Sequence, residues 1–579
     1  MQDRRKHEKV IAVVLDDISS SFAKDMVKSM MKIIPEKRNI NIVVLSGKYI
    51  GEDNLNNIIE YRSVYNSVFR LGEQCEFDGL IVHIGGMDKK TKNLLSEKFI
   101  GGRGNIPVVF IASDIEGETT VNYDNERGIS EAVEYLVNVN GFTRICMLGG
   151  RDDNKDAFSR KQIFLKCLRE NNVFFSDTDY EVTDMSAECT AEAAALLDRN
   201  PDVQAVFCVN DAVARGLYRV MESRNLVPGK DILVFGFDNT SAASEMTPPL
   251  SSVGSYECTL GEKAMELMLR KLDGERVESA LVSTRLYGRD SFYYEMYDYT
   301  VKEMVNIKPA FIYRMFRDCF YRYRKSPNDR ESVDLERLFY EFISLMLKAM
   351  QRKYMSLDEY NEIIRMVNKF FEKGAMKYTD EKRLLERMDR LRTSMNNAQK
   401  SPAVNAVINS IFLKIKDNAI SSLAENSIQE KKHLLYEREQ LLEFLIDRTF
   451  DKSGDYESIF MNINKLGMDN AALYMFDGPL DYDYENNAYL PDKINLKCVV
   501  RNGEVYLISK ERQPCFTKDI FVRGEMSMKC RGYVVLPVFY RHTIYGFLVG
   551  EAIRDIYERG EFIAIQLGKT FYINNMGKS

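Results

Sequence analysis

Four short apolar runs in the first half of this 579-residue chain end on side chains able to hold a hydroxylated molecule. Asp16 and Asp17 follow VIAVVL, Ser113 and Asp114 follow PVVFIA, Asn210 and Asp211 follow AVFCV, and Asp238 and Asn239 follow ILVFGF. A carboxylate placed where a strand leaves the core has two physical uses. It caps the next helix by accepting a free N–H of the first turn, worth about 1 kcal/mol, or it accepts two charge-assisted hydrogen bonds from adjacent hydroxyls of a polyol. Asp124 or Asn125, and Asp211, are assigned to the first use; Asp17 and Asp238 are assigned to the second.

For these ends to meet, the runs must be parallel strands. Apolar, β-branched stretches recur at 10–15, 41–45, 79–84, 107–112, 144–148, 205–209 and 232–236. Helical stripes lie between them, such as Ile129, Ala132, Val133, Leu136 and Val137 at i, i+3, i+4, i+7, i+8. Alternating strands and helices give an α/β fold with sheets covered on both faces. In such sheets ligands bind beyond the carboxyl ends of the strands, where the following helices point free N–H groups. The polar stretch 113–124 interrupts the series, so two lobes are expected: one of about 8–114 with 253–290, the other about 115–252.

Residues 291–450 change character to long helical stretches rich in Arg, Lys, Glu, Met and Leu, which predicts a helical connector. Within it Ile428, Leu435 and Leu442 stand seven apart, beside Leu434, Leu441 and Leu445, the pattern of a short coiled coil over 420–448 that would make a homodimer. From 452 to 575 the pattern returns to mixed α+β, with a helix around 456–466, a strand at 471–476, a hairpin turning at Arg541–His542, and a final helix near 554–574.

The net charge is −6 at pH 7, which excludes a chain that coats nucleic-acid phosphates along its length. No run of 18 apolar residues occurs, so no membrane association and a cytoplasmic location are expected. Ten scattered cysteines without a CxxC pair suit reduced thiols rather than disulfides or zinc. The four histidines stand near no Ser or Cys nucleophile, and His83 is expected as a satisfied, half-buried strand-end residue. The terminal MGKS lacks the glycine and following helix of a phosphate loop, and GGRG at 101–104 lacks those of a dinucleotide fingerprint. No enzymatic activity, metal or cofactor is expected.

Residues 9–290 resemble the effector-binding portion of the lactose-repressor/galactose-repressor family, itself similar to periplasmic sugar-binding proteins. The resemblance is carried in order by IAVVLDDISSSFAKDMVKSM, FDGLIVHI, IPVVFIASD, VNYDNERGISEAVEYLVNVNGFTRICMLGG, CVNDAVARGLYRVMESRNLVPGKDILVFGFDN and TPPLSSVGSYECTLGEKAMELML. It implies a two-lobed type I periplasmic-binding-protein-like fold, joined by three crossovers and closing on a small molecule, usually a sugar or nucleobase. Carried across position by position, it implies Asp17 and Ser21 as polar contacts and Phe22 as a stacking wall. Arg160 would be a planar fork of donors, Asn210 and Asp238 would hold hydroxyls, and Ser255 would lie on the returning crossover. Ser20 and Ser21 replace the usual Asn-Pro, Ala112 and Ser113 replace a common acidic–basic pair, and Ile163 replaces a usual glycine, so the ligand does not carry over.

Members of that family bind DNA through a helix-turn-helix ahead of the first strand, whereas nine residues precede Val10, so no DNA contact of that kind is expected. GYVVLPVFYRHTIYGFLVGEA resembles the last hairpin of a GAF-type sensor domain. Three readings of the whole stay open at this point. The chain is a ligand sensor handing its signal to a downstream output protein, a regulator that binds DNA through its helical region, or the sensory part of a diguanylate-cyclase-type receptor whose output domain is missing.

Overall fold

The computed structural model describes residues 9–35, 40–48, 62–83, 85, 106–113, 115, 117–292, 299–320, 323, 330–352, 354–379, 381–399, 401–424, 468–482, 489–521 and 532–576. They fall into two compact units, residues 1–293 with 439–579, and residues 294–438.

The first unit is built on two sheets. Strands β1 (Lys9–Leu15), β2 (Ile40–Ser46), β3 (Gly79–His83), β4 (Val108–Ile111) and β5 (Thr119–Asp124) form the first, pairing in parallel in the order β2–β1–β3–β4–β5. Strands β6 (Ile145–Gly149), β7 (Tyr180–Val182), β8 (Ala205–Cys208), β9 (Leu233–Phe237) and β10 (Ser251–Ser255) form the second, in the order β7–β6–β8–β9–β10. Strand β11 (Ala280–Tyr287) belongs to both: Ala280–Ser283 run parallel to β5, and Thr284–Tyr287 run antiparallel to β10. The strands read as unbroken apolar runs because both faces are buried. Ile11, Val13 and Leu15 enter one core, while Val10, Ala12 and Val14 enter the other.

The connecting helices are α1 (Ser21–Ile33), α2 (Arg62–Tyr65), α3 (Ser67–Gln74), α4 (Asn125–Glu134), α5 (Lys155–Glu170), α6 (Thr190–Arg199), α7 (Asp211–Ser223), α8 (Ser241–Glu245) and α9 (Leu260–Leu272). Their starts are chemically specified. Ser20, Asp124, Asn154, Asn210 and Thr259 each accept a first-turn N–H, and Glu262 completes a capping box with Thr259.

The chain crosses between lobes after Asp124, after Ser255 and within β11. The first crossing is ten residues later than the polar stretch at 113–124 predicts, because TTVNYD is itself a strand, held between β4 and β11. The second follows Ser255 rather than Ser252, since β10 stays on β9 as far as Val253. The crossovers pack closely: a Cβ on Gly128 would lie 2.3 Å from Val253 Cγ1. The Thr284 hydroxyl there donates to the Asp124 carbonyl and accepts from the Gly128 N–H at 3.3 Å.

The C-terminal strands continue the first sheet rather than standing apart from it. Strands β12 (Ala471–Asp481), β13 (Lys493–Arg501), β14 (Glu504–Leu507), β15 (Pro514–Phe516), β16 (Gly532–Tyr540) and β17 (Thr543–Glu551) pair antiparallel in the order β13–β12–β17–β16, with β14 and β15 along the outer side of β13. The β16–β17 hairpin turns at Arg541–His542 as expected, with Arg541 left-handed at φ 54°. The other edge of β16 pairs in parallel with β2, Gly532 to Val535 opposite Ile42 to Leu45. Both cores run through this seam, Val534 and Leu536 joining one and Tyr533 and Val535 the other. The last helix, α10 (Arg554–Met576), packs on β16 and β17. Gln74 Nε2 donates to the Leu490 carbonyl at 2.7 Å, and the Tyr65 and Phe539 rings meet edge-on at 5.2 Å.

The second unit is helical: Val301–Asn306, Pro309–Cys319, Arg330–Met350, Leu357–Glu372, Glu381–Ala398 and a helix over 402–424. Its core is aromatic, with Phe316, Phe320, Phe339, Phe342 and Phe370 in mutual contact. The expected coiled coil beyond 424 and the helix at 456–466 lie outside the described residues. Among the described residues no helix is long and apolar enough to cross a membrane, and the nine described cysteines form no disulfide with one another.

Candidate functional site

The carboxyl ends of β1 and β3 supply the first-lobe wall. Asp16 and Asp17 follow Leu15, which lies opposite His83 in the β1–β3 ladder. Asp17 turns its carboxylate back on its own loop: Oδ1 accepts from Ser19 N at 2.8 Å, from Ser19 Oγ at 2.7 Å and from Lys48 Nζ at 2.9 Å. Ser20 caps α1 by accepting the Ala23 N–H at 3.1 Å. That leaves Ser21 at the first helical position, half-buried and without cap duty. Phe22 follows, its ring centroid 5.3 Å from that of His83. His83 Nδ1 lies 3.4 Å from Asp16 Oδ1. Burial pulls the imidazole pKa down, but Asp16, and across the lobe divide Asp156 and Asp238, outweigh it and hold His83 above its ordinary value.

The second-lobe wall is built from the first two turns of α5 and the end of β9. Asn154 caps α5 through Ala157 N at 3.0 Å, and its Nδ2 reaches over to the first-lobe carbonyl of Gly85 at 3.1 Å. Two turns in, Arg160 is 2% exposed. Its Nη1 donates to the Val209 carbonyl at 2.8 Å and its Nη2 to Asp238 Oδ1 at 3.1 Å, while the guanidinium lies 3.7 Å from the centre of the Phe237 ring. Stacking satisfies the planar face of the ion, the fork satisfies its edge, and Nε alone is left without a partner. Asp238 has a φ of 97° because the chain doubles back there, its N–H bonding to the Val253 carbonyl at 2.8 Å. Burial raises the Asp238 carboxyl above its usual range, against the pull of Arg160. Tyr123 meets Phe237 edge-on at 5.4 Å, so β5 closes the floor.

The sequence-derived set is thus divided. Arg160 and Asp238 are in direct contact; Asn210 adjoins them, because the carbonyl before it, Val209, receives Arg160. Ser21 and Phe22 lie on the opposite lobe. Asp17 is on the same loop, but its carboxylate faces Lys48. Ser255 ends β10 at the second crossing, its carbonyl accepting from Tyr287 OH.

The two helix-cap assignments separate. Asp124 caps α4 as expected, but Asn210, not Asp211, caps α7: its Oδ1 accepts Val213 N at 2.8 Å and its Nδ2 donates to the Met185 carbonyl at 3.0 Å. Asp211 is the first helical residue and points inward, accepting from Ser252 Oγ at 2.6 Å, Thr240 N at 2.7 Å and Thr240 Oγ1 at 2.9 Å.

Sequence reasoning placed Asp16 at the strand end without a partner, missed Asn154 and Lys48 as parts of the site, and gave His83 a bland role. A signal for His83 existed, since it ends a strand level with Leu15. None existed for Lys48, which reaches Asp17 from a different strand.

Residues 119–292 match the family model described as a periplasmic binding protein-like domain. The chain is 27% identical over 208 residues to the HTH-type transcriptional repressor PurR of Photobacterium profundum, covering 35% of this chain and 59% of that protein. Over 287 residues it is 29% identical to the probable HTH-type transcriptional repressor ExuR of Bacillus subtilis, covering 48% and 78% respectively. The chain therefore spans somewhat over half the length of the PurR relative. Among solved structures it is similar to a LacI family transcriptional regulator from Enterococcus faecium with bound ribose, at 21% identity and a TM-score of 0.40 over 49% of this chain and 98% of that one.

Proposed function

With residues 119–292 a LacI-family periplasmic-binding-protein-like domain, we propose that this chain is a sensor of a small polyhydroxylated molecule, a sugar in the first instance, acting in transcription regulation or signal transduction. The observation that carries this reading is the Arg160–Asp238 pair, buried and stacked on Phe237, with His83 of the other lobe within electrostatic reach of Asp238. A buried ion pair with an unpartnered donor is a costly arrangement for stability alone. As a ligand site it makes sense. Arg160 Nε and the remaining lone pairs of Asp238 offer donor and acceptor to vicinal hydroxyls, and Asn210 Oδ1 keeps a second lone pair beyond its cap bond. Phe22 supplies an apolar face, Ser21 supplies a polar contact from the first lobe, Asp17 holds the turn that presents them, and Ser255 lies beside the hinge.

The mechanism is a population shift. A ligand bonded by both lobes favours the closed arrangement by the difference between its affinities for the closed and open states, and an effector without that difference moves nothing. Lobe closure rotates the elements at the three crossovers, which is the motion an output partner would read.

Thermal unfolding of the full chain with and without millimolar ribose or cellobiose tests the reading. Binding at 100 times Kd stabilises by about 2.7 kcal/mol, a readable rise in Tm. Asp238→Asn is expected to abolish the rise while sparing the fold. Arg160→Ala is the poorer probe, because it leaves Asp238 buried without its cation and costs about 3–5 kcal/mol by itself. A sugar-induced rise unchanged in Asp238→Asn would place the site elsewhere.

A further inference from the structure

Lys48 stands just beyond β2, at the carboxyl end of the first sheet, with a side chain only 15% exposed. Its ammonium lies 2.9 Å from Asp17 Oδ1 and 2.8 Å from Glu561 Oε1 on α10, and 5.6 Å from the centre of the Tyr65 ring. One half-buried cation therefore joins the first-lobe loop at Asp17 to the last helix, α10. The seam beneath it is continuous, since β16 lies on β2 from Ile42 to Leu45 and α10 packs on β16. Burial lowers the affinity of Lys48 for its proton, yet Asp17 and Glu561 outweigh that and hold it above the ordinary lysine value, while burial raises the Glu561 carboxyl against the pull of Lys48.

The loop it holds leads directly into the cleft. Asp17 fixes Ser19 through N–H and hydroxyl, Ser20 donates back to the Asp17 carbonyl at 3.3 Å and caps α1, and the next two residues are Ser21 and Phe22. Two carboxylates on one ammonium also share it. Withdrawing Glu561 leaves Lys48 to Asp17 alone, and withdrawing Lys48 sets two acids against each other across the seam.

We propose that Glu561 is a positioning residue of the ligand cleft: through Lys48 it sets Asp17 and the turn that presents Ser21 and Phe22, so that the C-terminal sheet completes the first-lobe side of the site. This rests on the sugar-sensor reading only for what the cleft holds; the relay from Glu561 to the α1 turn is a property of the unliganded chain. It gives the C-terminal strands a function beyond covering the β2 edge, because any ligand that repels or draws Asp17 changes the load on α10, and whatever docks on α10 changes Asp17 in return.

Hydrogen–deuterium exchange of the full chain without added sugar tests the relay. Glu561→Gln and Lys48→Met are each expected to speed exchange in peptides covering 16–23 by about 5-fold, with β1, β2 and β16 unchanged as the internal control of folding. Lys48→Arg, still a cation able to span both carboxylates, is expected to stay near wild type. Wild-type exchange at 16–23 in Glu561→Gln, or a uniform rise that includes β2 and β16, overturns the proposal; the second result would show that Glu561 merely fastens the seam. For whichever of ribose or cellobiose shifts Tm in an Asp238-dependent way, Glu561→Gln is expected to weaken binding by about 5-fold, and unchanged affinity also overturns it. Should neither sugar shift Tm, the sensor reading is what fails, and the exchange experiment still decides the relay.

Discussion

At the scale of single residues, the second lobe turns on Asp211. Burial pushes its carboxyl up to about 7, with Asp238 adding to the rise and the Ser252 and Thr240 donors pulling against it. A folded-state pKa above the unfolded one means that the native state binds more protons between about pH 4 and 7. The Asp211 contribution is accordingly full below about pH 4, declines as pH rises through about 7 and is level above that. Chemical unfolding across about pH 4–8 should show this slope in the wild type and lose it in Asp211→Asn, whose amide oxygen accepts from Thr240 while its NH2 donates to Ser252 Oγ. Asp211→Ala strands those donors in the core and is expected to cost about 2–4 kcal/mol at neutral pH, read from the shift in denaturation midpoint. The neighbouring backbone leaves no room for adjustment: a Cβ on Gly236 would sit 2.5 Å from Asp211 Oδ1. At this scale chain neighbours mislead. Asn210 and Asp211 both look like caps, and only the inward turn of α7 decides that the first caps and the second ties β10 to α8.

At the scale of elements, the seven apolar runs all became strands because β-branched stretches bounded by turn residues bury both faces of a parallel sheet, a local property that reads directly. Strands β5, β7, β10 and β11 did not stand out, since TTVNYD, YEV, SSVGS and ALVSTRLY are half polar and are strands only because partners fill their edges. The crossings therefore fall at Asp124 and Ser255. Two helices hold the lobes together at their rims: α8 presents Ser241 N and Oγ to the Asp25 carboxylate of α1, at 2.8 and 3.2 Å. These bonds are exposed, so together they are worth about 1 kcal/mol, a factor of about five in the ratio of closed to open lobes. Asp25→Ala is expected to raise the radius of gyration of the unliganded chain in small-angle scattering without lowering Tm by more than about a degree or two. An unchanged radius would mean that these bonds do not hold closure.

At the scale of the whole molecule, the C-terminal strands cover an edge. Without β16, β2 would present Ile42 to Leu45 as a flat row of open N–H and C=O groups beside apolar side chains, the arrangement through which sheets aggregate. A chain ending at residue 438 is expected to form high-molecular-weight species by light scattering at micromolar concentration, whereas the full chain does not; a monodisperse truncated chain would show that β2 protects itself. From the sequence alone came the α/β lobes, the helical middle, the hairpin at Arg541–His542, and the strand-end positions of Asp16, Asp238 and their neighbours, because periodicity, caps and turn chemistry are written within a few residues. Which of those side chains share a partner was not written there. Arg160 with Asp238, His83 with Asp16, and Lys48 between Asp17 and Glu561 are meetings of residues tens to hundreds of positions apart, set by strand order and by one edge pairing, and strand order is a global packing outcome that no local pattern encodes.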